Sequence, residues 1–175
     1  MQSILERLDV NQVYLSETEE RKRLIHPILP TDDEYIAQWY EKYKGGQNPF
    51  RMDNPIETLR GEFVRSKSEK MIADMYYMAN IPYVYEPGLA LDDGRILYPD
   101  FAVLNISERK TFYHEHFGMM DDAEYCSNAI EKMRMYSTHG FWQGENMIYT
   151  FEGRDNVFNQ REIKGVIQHF LKGEE

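Results

Sequence analysis

The chain has 175 residues, of which 42% are hydrophobic and 14% aromatic, a composition typical of one domain with a short appended segment. No run of about 18 apolar residues occurs, so the sequence predicts no membrane span, and the N-terminus lacks the residue order of a signal peptide. Cys126 is the only cysteine, which excludes an intrachain disulfide and favours a reducing, cytoplasmic setting. The formal charge of −10 argues against a protein that coats nucleic acid by neutralising phosphates.

The N-terminal part of the chain predicts helices without a strong core pattern. Ser16, followed by acidic residues, predicts a helix start, and Pro27 predicts a stop. Thr31 and Glu34 have the spacing of a capping box and predict a second helix, which Gly45-Gly46 ends. We expect this part to form an extension of the main domain.

The rest of the chain predicts an α/β fold with a mixed central sheet and helices on both faces. In order, the patterns predict a helix over 68–79, strands over 83–86, 89–91, 96–104 and 111–117, a helix capped by Asp121 or Asp122, a strand over 147–151 and a helix from Asn159 or Gln160. A hairpin turn at Asp92-Asp93-Gly94 joins two strands, and the last strand–helix units imply a parallel pairing. We therefore expect a helical extension over 1–59 and the main domain over 60–175.

Two acidic residues lie inside predicted strands. Alternate residues of a strand share a face, so Asp100 points the same way as Leu104, and Glu115 the same way as Phe117. A carboxylate against apolar neighbours costs roughly several kcal/mol unless a cation or donors compensate it. Because the two acids fall on consecutive strands, a shared cation is the simplest explanation.

Three segments together resemble the PD-(D/E)XK nuclease superfamily, in particular an uncharacterised bacterial branch. They are Arg65-Ser66-Lys67-Ser68-Glu69-Lys70, Tyr98-Pro99-Asp100-Phe101 and Glu115-His116-Phe117-Gly118-Met119-Met120-Asp121. The resemblance implies a restriction-endonuclease-like core with the element order αβββαβ. It also implies a metal-dependent nuclease that hydrolyses phosphodiester bonds in DNA.

The resemblance implies a metal centre with Mg²⁺ or Mn²⁺ as cofactor. It assigns the glutamate of the core helix to Glu69, the motif aspartate to Asp100 and the strand acid to Glu115. Together these would hold one or two ions through hard oxygen ligands, and the metal would activate a water for attack on the phosphodiester. The acidic net charge argues less against such a nuclease, because its metal site needs clustered acids.

The chain departs from the family pattern at the catalytic lysine. That residue should follow the glutamate by two positions, where this chain has Phe117. Lys132 on the next helix is the candidate replacement, and with Tyr136 it resembles the helix pair of the RecB-like branch. His116 is a further catalytic candidate, although a regular strand directs its side chain to the other face.

A basic group at the start of the core helix predicts contact with nucleic acid, for which we expect DNA, and no membrane partner is expected. The candidate nucleic-acid-binding residues are Arg65, Lys67, Lys70 and Tyr136. Such a basic group is more often a solvated face. The loosely patterned N-terminal segment suggests a further hypothesis, that the chain is the terminal portion of a longer mobile-element or helicase-associated protein.

Each acidic candidate also has a structural alternative. Glu69 follows Ser66 at capping-box spacing, in which case its carboxylate bonds the N–H of the cap residue. Asp100 is alternatively a turn residue after proline, and Glu115 an exposed strand residue. The domain as a whole is alternatively a catalytically silent module for nucleic-acid or protein interaction, which Phe117 and the acidic surface favour.

A zinc site is a weaker alternative. It would draw on His114, His116, Asp121, Asp122, Cys126 and His139. No Cys-x-x-Cys or His-Glu-x-x-His spacing supports it, and His114 with His116 is an ordinary strand alternation.

Overall fold

The computed structural model describes residues 13, 16–22, 30–155 and 157–172. The chain divides into two units, residues 1–39 and residues 40–175. A short strand before residue 60 pairs with one after it. The domain boundary predicted at 59/60 stays a prediction.

Among the N-terminal residues that the structure describes, α1 covers Glu19–Lys22 and α2 covers Asp32–Lys42. The capping box predicted for α2 is confirmed: the Thr31 N–H donates to Glu34 Oε2 at 2.9 Å, and the Glu34 N–H donates to Thr31 Oγ1 at 3.3 Å. The helix stop predicted at Pro27 lies outside the described residues. Within the described ranges, no helix combines the length and the apolar character that crossing a bilayer requires.

Eleven further helices and strands follow in the second unit. They are β1 (Ile56–Glu57), β2 (Phe63–Val64), α3 (Lys67–Met78), β3 (Tyr83–Tyr85), β4 (Leu89–Ala90), β5 (Ile96–Leu97), β6 (Phe101–Asn105), β7 (Lys110–Phe117), α4 (Ala123–Thr138), β8 (Met147–Phe151) and α5 (Gln160–Val166). A π-helical turn over Ile167–Leu171 extends α5. The pair β1–β2 was not predicted, because two-residue strands carry no periodicity.

The central sheet has the strand order β3-β6-β7-β8. Strands β3, β6 and β7 pair antiparallel, and β7 pairs parallel to β8, so the predicted mixed sheet is confirmed. The predicted hairpin at Asp92-Asp93-Gly94 joins β4 to β5 in a separate two-stranded sheet. The single strand predicted over 96–104 is wrong: it is two strands in different sheets, interrupted at Tyr98-Pro99-Asp100, where proline has no N–H to donate.

Helices cover both faces of the central sheet. On one face, Ile72 of α3 and Ile163 of α5 pack with Phe101. On the other face, Tyr136 of α4 packs with Phe117. Alternate residues of β7 therefore point into different layers, His114 towards α3 and α5 and Glu115 towards α4.

Candidate functional site

Asp100 and Glu115 lie side by side at one end of the central sheet. Asp100 directly precedes β6, and the antiparallel register that pairs Phe101 with His114 brings Asp100 opposite Glu115. The backbone N–H of His116 donates to Asp100 Oδ2 at 2.7 Å. The two acids thus share one face, as strand alternation predicts.

Two residues of α4 hold the carboxylate of Glu115, which is only 4% exposed. Lys132 Nζ donates to Oε1, and the Tyr136 hydroxyl donates to Oε2 at 2.9 Å. Residues four apart on a helix share a face, so α4 presents both donors together. The structure therefore brings Lys132 to the two acids, although it lies 17 residues from Glu115 along the chain.

The charges at this end of the sheet do not balance. Burial raises the pKa of the half-buried Asp100 well above its ordinary value, and the nearby carboxylates of Glu115 and Glu69 raise it further, against Lys132 and the His116 N–H. Burial also raises the pKa of Glu115, since Lys132 and Tyr136 offset it only in part. Burial lowers the pKa of Lys132, but the two carboxylates outweigh it and leave that pKa raised. One ammonium group thus faces several carboxylates.

Glu69 lies in the first turn of α3. Its Oε2 accepts from the Arg65 N–H at 2.9 Å and from the Tyr85 hydroxyl at 2.6 Å, and its own N–H donates to Ser66 Oγ at 3.1 Å. Only half of a capping box is formed, because the carboxylate bonds Arg65 rather than the cap residue Ser66. No hydrogen bond to Glu69 Oε1 is found among the described residues, so this oxygen remains available.

The three predicted metal ligands share a region but not a tight cluster. In the described part of the chain, one group of three ligating side chains has its ligand atoms within 4.8 Å of one another, and it is Asp92, Asp93 and His139. Glu69, Asp100 and Glu115 are therefore more widely spaced than that. Mg²⁺ tolerates such spacing, because it usually keeps several waters and takes only one or two carboxylates directly.

The group of Asp92, Asp93 and His139 is poorly suited to a metal. His139 Nε2 lies 3.3 Å from Asp92 Oδ1 and 3.0 Å from Asp93 Oδ2. The guanidinium of Arg95 already binds Asp93 Oδ2 at 2.5 Å and lies 3.4 Å from His139 Nε2. A cation would have to displace this positive group. Of the residues in the zinc alternative, His139 alone belongs to this group.

The side chains of His114 and His116 form a buried polar chain on the opposite face of β7. Tyr76 Oη lies 2.7 Å from His114 Nδ1, and Thr150 Oγ1 lies 2.8 Å from both His114 Nε2 and His116 Nδ1. The Tyr76 hydroxyl has no other acceptor among the described residues, so we assign it as the donor to His114 Nδ1. With Tyr76 as donor, His114 carries its proton on Nε2 and donates it to Thr150 Oγ1. The Thr150 hydroxyl then donates to His116 Nδ1. Neutral His116 then carries its proton on Nε2.

The imidazole of His116 does not reach the acids, because the strand is regular and only the backbone N–H meets Asp100. Its Nε2 instead faces Glu152 Oε1 at 3.6 Å, and Ser68 Oγ donates to the same oxygen at 2.7 Å. Burial lowers the pKa of His116, although Glu152 acts in the opposite direction. Glu152 was missed by the sequence reasoning; the available signal was an acid directly after a buried strand.

The residues predicted to bind nucleic acid have different environments. Arg65 donates to Glu86 Oε1 at 2.7 Å and to the carbonyls of residues 50 and 51, so its guanidinium ties a loop to the domain. Lys70 pairs with Asp74 at 2.6 Å. Lys67 is exposed, with no hydrogen bond or ion pair to another described residue. Tyr136 is fully buried and offers no surface to a nucleic acid in this conformation.

Comparisons with known proteins add one relative. No protein-family model matches the chain. The chain is similar to the uncharacterized protein MJ1519 of Methanocaldococcus jannaschii, with 36% identity over 95 residues. The matched segment makes up 53% of this chain but only 8% of the relative, so the chain spans a small part of that protein.

Proposed function

We propose that the chain is a metal-dependent nuclease with a restriction-endonuclease-like core of the PD-(D/E)XK superfamily. The observation that carries the proposal is the adjacency of Asp100 and Glu115 on neighbouring strands, with Lys132 bonded to Glu115. The order of α3, β3, β6, β7, α4 and β8 corresponds to the αβββαβ order of that core. Phosphodiester hydrolysis in DNA is the proposed reaction.

The donor set suits Mg²⁺ or Mn²⁺. Carboxylate oxygens are hard ligands, and Asp100 and Glu115 would hold the ion, with Glu69 contributing its available Oε1 directly or through a water. A bound divalent ion would supply charge stabilisation at the phosphate and a water of lowered pKa. The raised pKa values of Asp100 and Glu115 support the fit, because burial disfavours their ionised forms and a bound cation would offset that cost.

The chain's own residues would position these groups. The His116 N–H fixes one oxygen of Asp100, while Tyr136 and Lys132 fix both oxygens of Glu115. The Lys132 side chain is 33% exposed and its Nζ pairs with Glu115, so a phosphate bound at the two acids would lie near this ammonium group. It would there stabilise the negative charge that develops during attack, as the family lysine does from another element.

A catalytically silent module is the second candidate, and a specific contact favours it. Lys132 pairs with Glu115 and already offsets part of the cost of burying its carboxylate. Phe117, at the usual lysine position, is buried and packs its ring 5.6 Å from that of Phe151. In such a module the acids would be kept without cleavage, for nucleic-acid or protein interaction.

We propose DNA as the partner of the chain, because it is the substrate of the proposed reaction. A place within a longer mobile-element or helicase-associated protein is consistent with the much longer archaeal relative, whose printed name assigns it no activity.

The deciding experiment measures cleavage of labelled linear, circular and single-stranded DNA with Mg²⁺ or Mn²⁺. We expect Asp100→Asn to lower the rate by at least about 100-fold, since that corresponds to roughly 2.7 kcal/mol of lost transition-state stabilisation. Asp92→Asn, an exposed acid of the other acidic group, is the matched control and should cleave like wild type. A folded wild type that neither cleaves any substrate nor binds Mn²⁺ in titration calorimetry would identify the silent module instead.

A further inference from the structure

One cavity lies beside β3, the edge strand of the central sheet, and a second lies beside the β4–β5 hairpin. The first has a volume of about 510 Å³ and the second about 520 Å³, within the range of small-molecule sites. Tyr43 and Lys44 line both cavities. Because the two cavities share these residues, we consider them together and call them the β3 groove.

Aromatic and apolar side chains dominate the first cavity. Its walls include Tyr40, Tyr43, Met52, Phe63 and Tyr85. Phe63 is 52% exposed and Tyr40 36% exposed, so part of each ring is accessible to a ligand. Flat rings at the mouth of a cavity suit the stacking of a planar aromatic ligand.

The groove is basic although the protein is acidic. Lys42, Lys44 and Arg60 line it, and Glu62 is the single acid among the described lining residues. The carboxylate of Glu62 is already bonded by Arg60 at 2.5 Å and by the Tyr83 hydroxyl. Because Arg60 and Glu62 form an ion pair, Lys42 and Lys44 supply the local excess of positive charge, which complements a phosphate backbone in a chain of formal charge −10.

Hydrogen bonds of Tyr85 and Glu86 link the first cavity to the acidic site. Tyr85 lines the first cavity and donates its hydroxyl to Glu69 at 2.6 Å. The next residue, Glu86, donates its backbone N–H to the carbonyl of Asp100 at 2.8 Å. A ligand in the first cavity would therefore contact Tyr85, which holds Glu69 and directly precedes the residue that holds Asp100.

We propose that the β3 groove binds a single-stranded polynucleotide, with unstacked bases in the cavities and the backbone along Lys42 and Lys44. Bases of a duplex are stacked on one another and cannot enter, whereas the bases of a single strand stack readily on aromatic side chains. Delivery of the neighbouring phosphate to Asp100 and Glu115 rests on the proposed nuclease function. Binding itself does not.

The test measures binding without a divalent ion, so that cleavage plays no part. Fluorescence anisotropy in EDTA at low salt would compare labelled oligo-dT and oligo-U with a hairpin duplex of equal length. We expect at least one single strand to bind about 10-fold more tightly than the duplex. Phe63→Ser should weaken that binding by about 10-fold, which corresponds to one lost stacking contact.

Trp142→Ser is the matched control, because Trp142 is 54% exposed and lines neither cavity. It should bind like wild type. Lys44→Ala, on an exposed side chain, should lower the salt dependence by about one phosphate contact and remains informative if Phe63→Ser fails to fold. Equal affinity for duplex and single strands, or binding unaffected by both groove variants, would overturn the proposal.

The result separates the two proposals. Binding that depends on Phe63 and Lys44, without cleavage when Mn²⁺ is added, keeps the groove and removes the nuclease. Cleavage by a protein whose single-strand binding ignores both residues keeps the nuclease and removes the groove.

Discussion

Strand β7 carries two buried polar clusters that differ in charge. On the side of α4, Glu115 joins Asp100 in a cluster with excess negative charge. On the side of α3 and α5, His114 and His116 belong to an uncharged chain of hydrogen bonds with Tyr76 and Thr150. The two clusters lie on opposite faces of one strand, so they share a backbone but have different neighbours.

The two clusters differ in their expected contribution to the stability of the fold. Burial lowers the pKa of His114 to about 3, so the ring stays neutral and its two nitrogens have partners. Such a satisfied network stabilises a core, whereas a carboxylate with a raised pKa destabilises the ionised folded state. We infer that the neutral cluster supports folding and that the acidic cluster is retained for binding. Four measurements test this inference.

The largest effect is expected from His114→Ala. The change leaves a cavity at a fully buried site and removes the partner of the Tyr76 hydroxyl, so the free energy of unfolding should fall by about 3–5 kcal/mol. Urea unfolding followed by circular dichroism measures it. His169→Ala, at an exposed histidine, should change stability by less than about 0.5 kcal/mol. A loss below about 1 kcal/mol in His114→Ala would show that the neutral cluster is dispensable.

Lys132→Met should have the next largest effect. It leaves the buried carboxylate of Glu115 without its ammonium partner, so the free energy of unfolding at pH 7 should fall by about 2–4 kcal/mol. Adding Glu115→Gln should restore most of the loss, because the second change removes the unpaired charge. Urea unfolding of both variants tests this. Equal instability of the single and double variants would mean that Lys132 acts through packing rather than through charge.

Acidification from pH 7 to pH 5 should cost about 2 kcal/mol of stability through His114. Its pKa is about 3 in the folded protein and near 6.5 when unfolded, so only the unfolded chain gains a proton in this window. Stability is therefore lost as the pH falls below about 6.5. The raised pKa of Asp100 works in the opposite direction, because protonation relieves the folded state.

Unfolding at pH 7, 6 and 5 should accordingly show a shallower pH dependence in His114→Gln than in wild type. The background variant Asp100→Asn removes the opposing carboxylate from both measurements. Identical slopes with and without His114 would contradict a neutral buried ring.

Asp100→Asn should have the smallest effect on stability, from no change to a gain of about 1 kcal/mol at pH 7 in EDTA. The amide oxygen can still accept the His116 N–H, while the costly charge is gone. With Mg²⁺ added, thermal melting should favour wild type, because an ion that binds only the folded state stabilises it by mass action. A clear loss of stability in Asp100→Asn under both conditions would mark the acid as structural.

The sequence predicted features that depend on local spacing. The caps Asp122 and Asn159 accept N–H groups of their helices, and β8 has the predicted bounds Met147–Phe151. Strand alternation also predicted that Glu115 points the same way as Phe117, because a regular strand fixes the direction of every side chain. These features need no knowledge of distant partners.

Features that depend on distant partners were not predictable. The hydroxyl that holds Glu152 belongs to Ser68, which is 84 residues earlier, so nothing near Glu152 indicates its role. The residues around Arg65 are typical of an exposed cation, yet its guanidinium binds Glu86, which lies 21 residues further along the chain. Gly45 was predicted as a helix stop. The structure gives a second reason for glycine there, because a Cβ would lie only 2.8 Å from the carbonyl oxygen of Tyr85.

Glu86 has a consequence for how the molecule could respond to a ligand. Its backbone N–H holds the Asp100 carbonyl, and its carboxylate binds both Arg65 and Asn48. The loop that contains Asn48 is therefore mechanically coupled to the strand that carries the candidate metal ligand. A partner that immobilised this loop would therefore also restrict the motion of Asp100. Binding at the loop would make the candidate metal site more rigid.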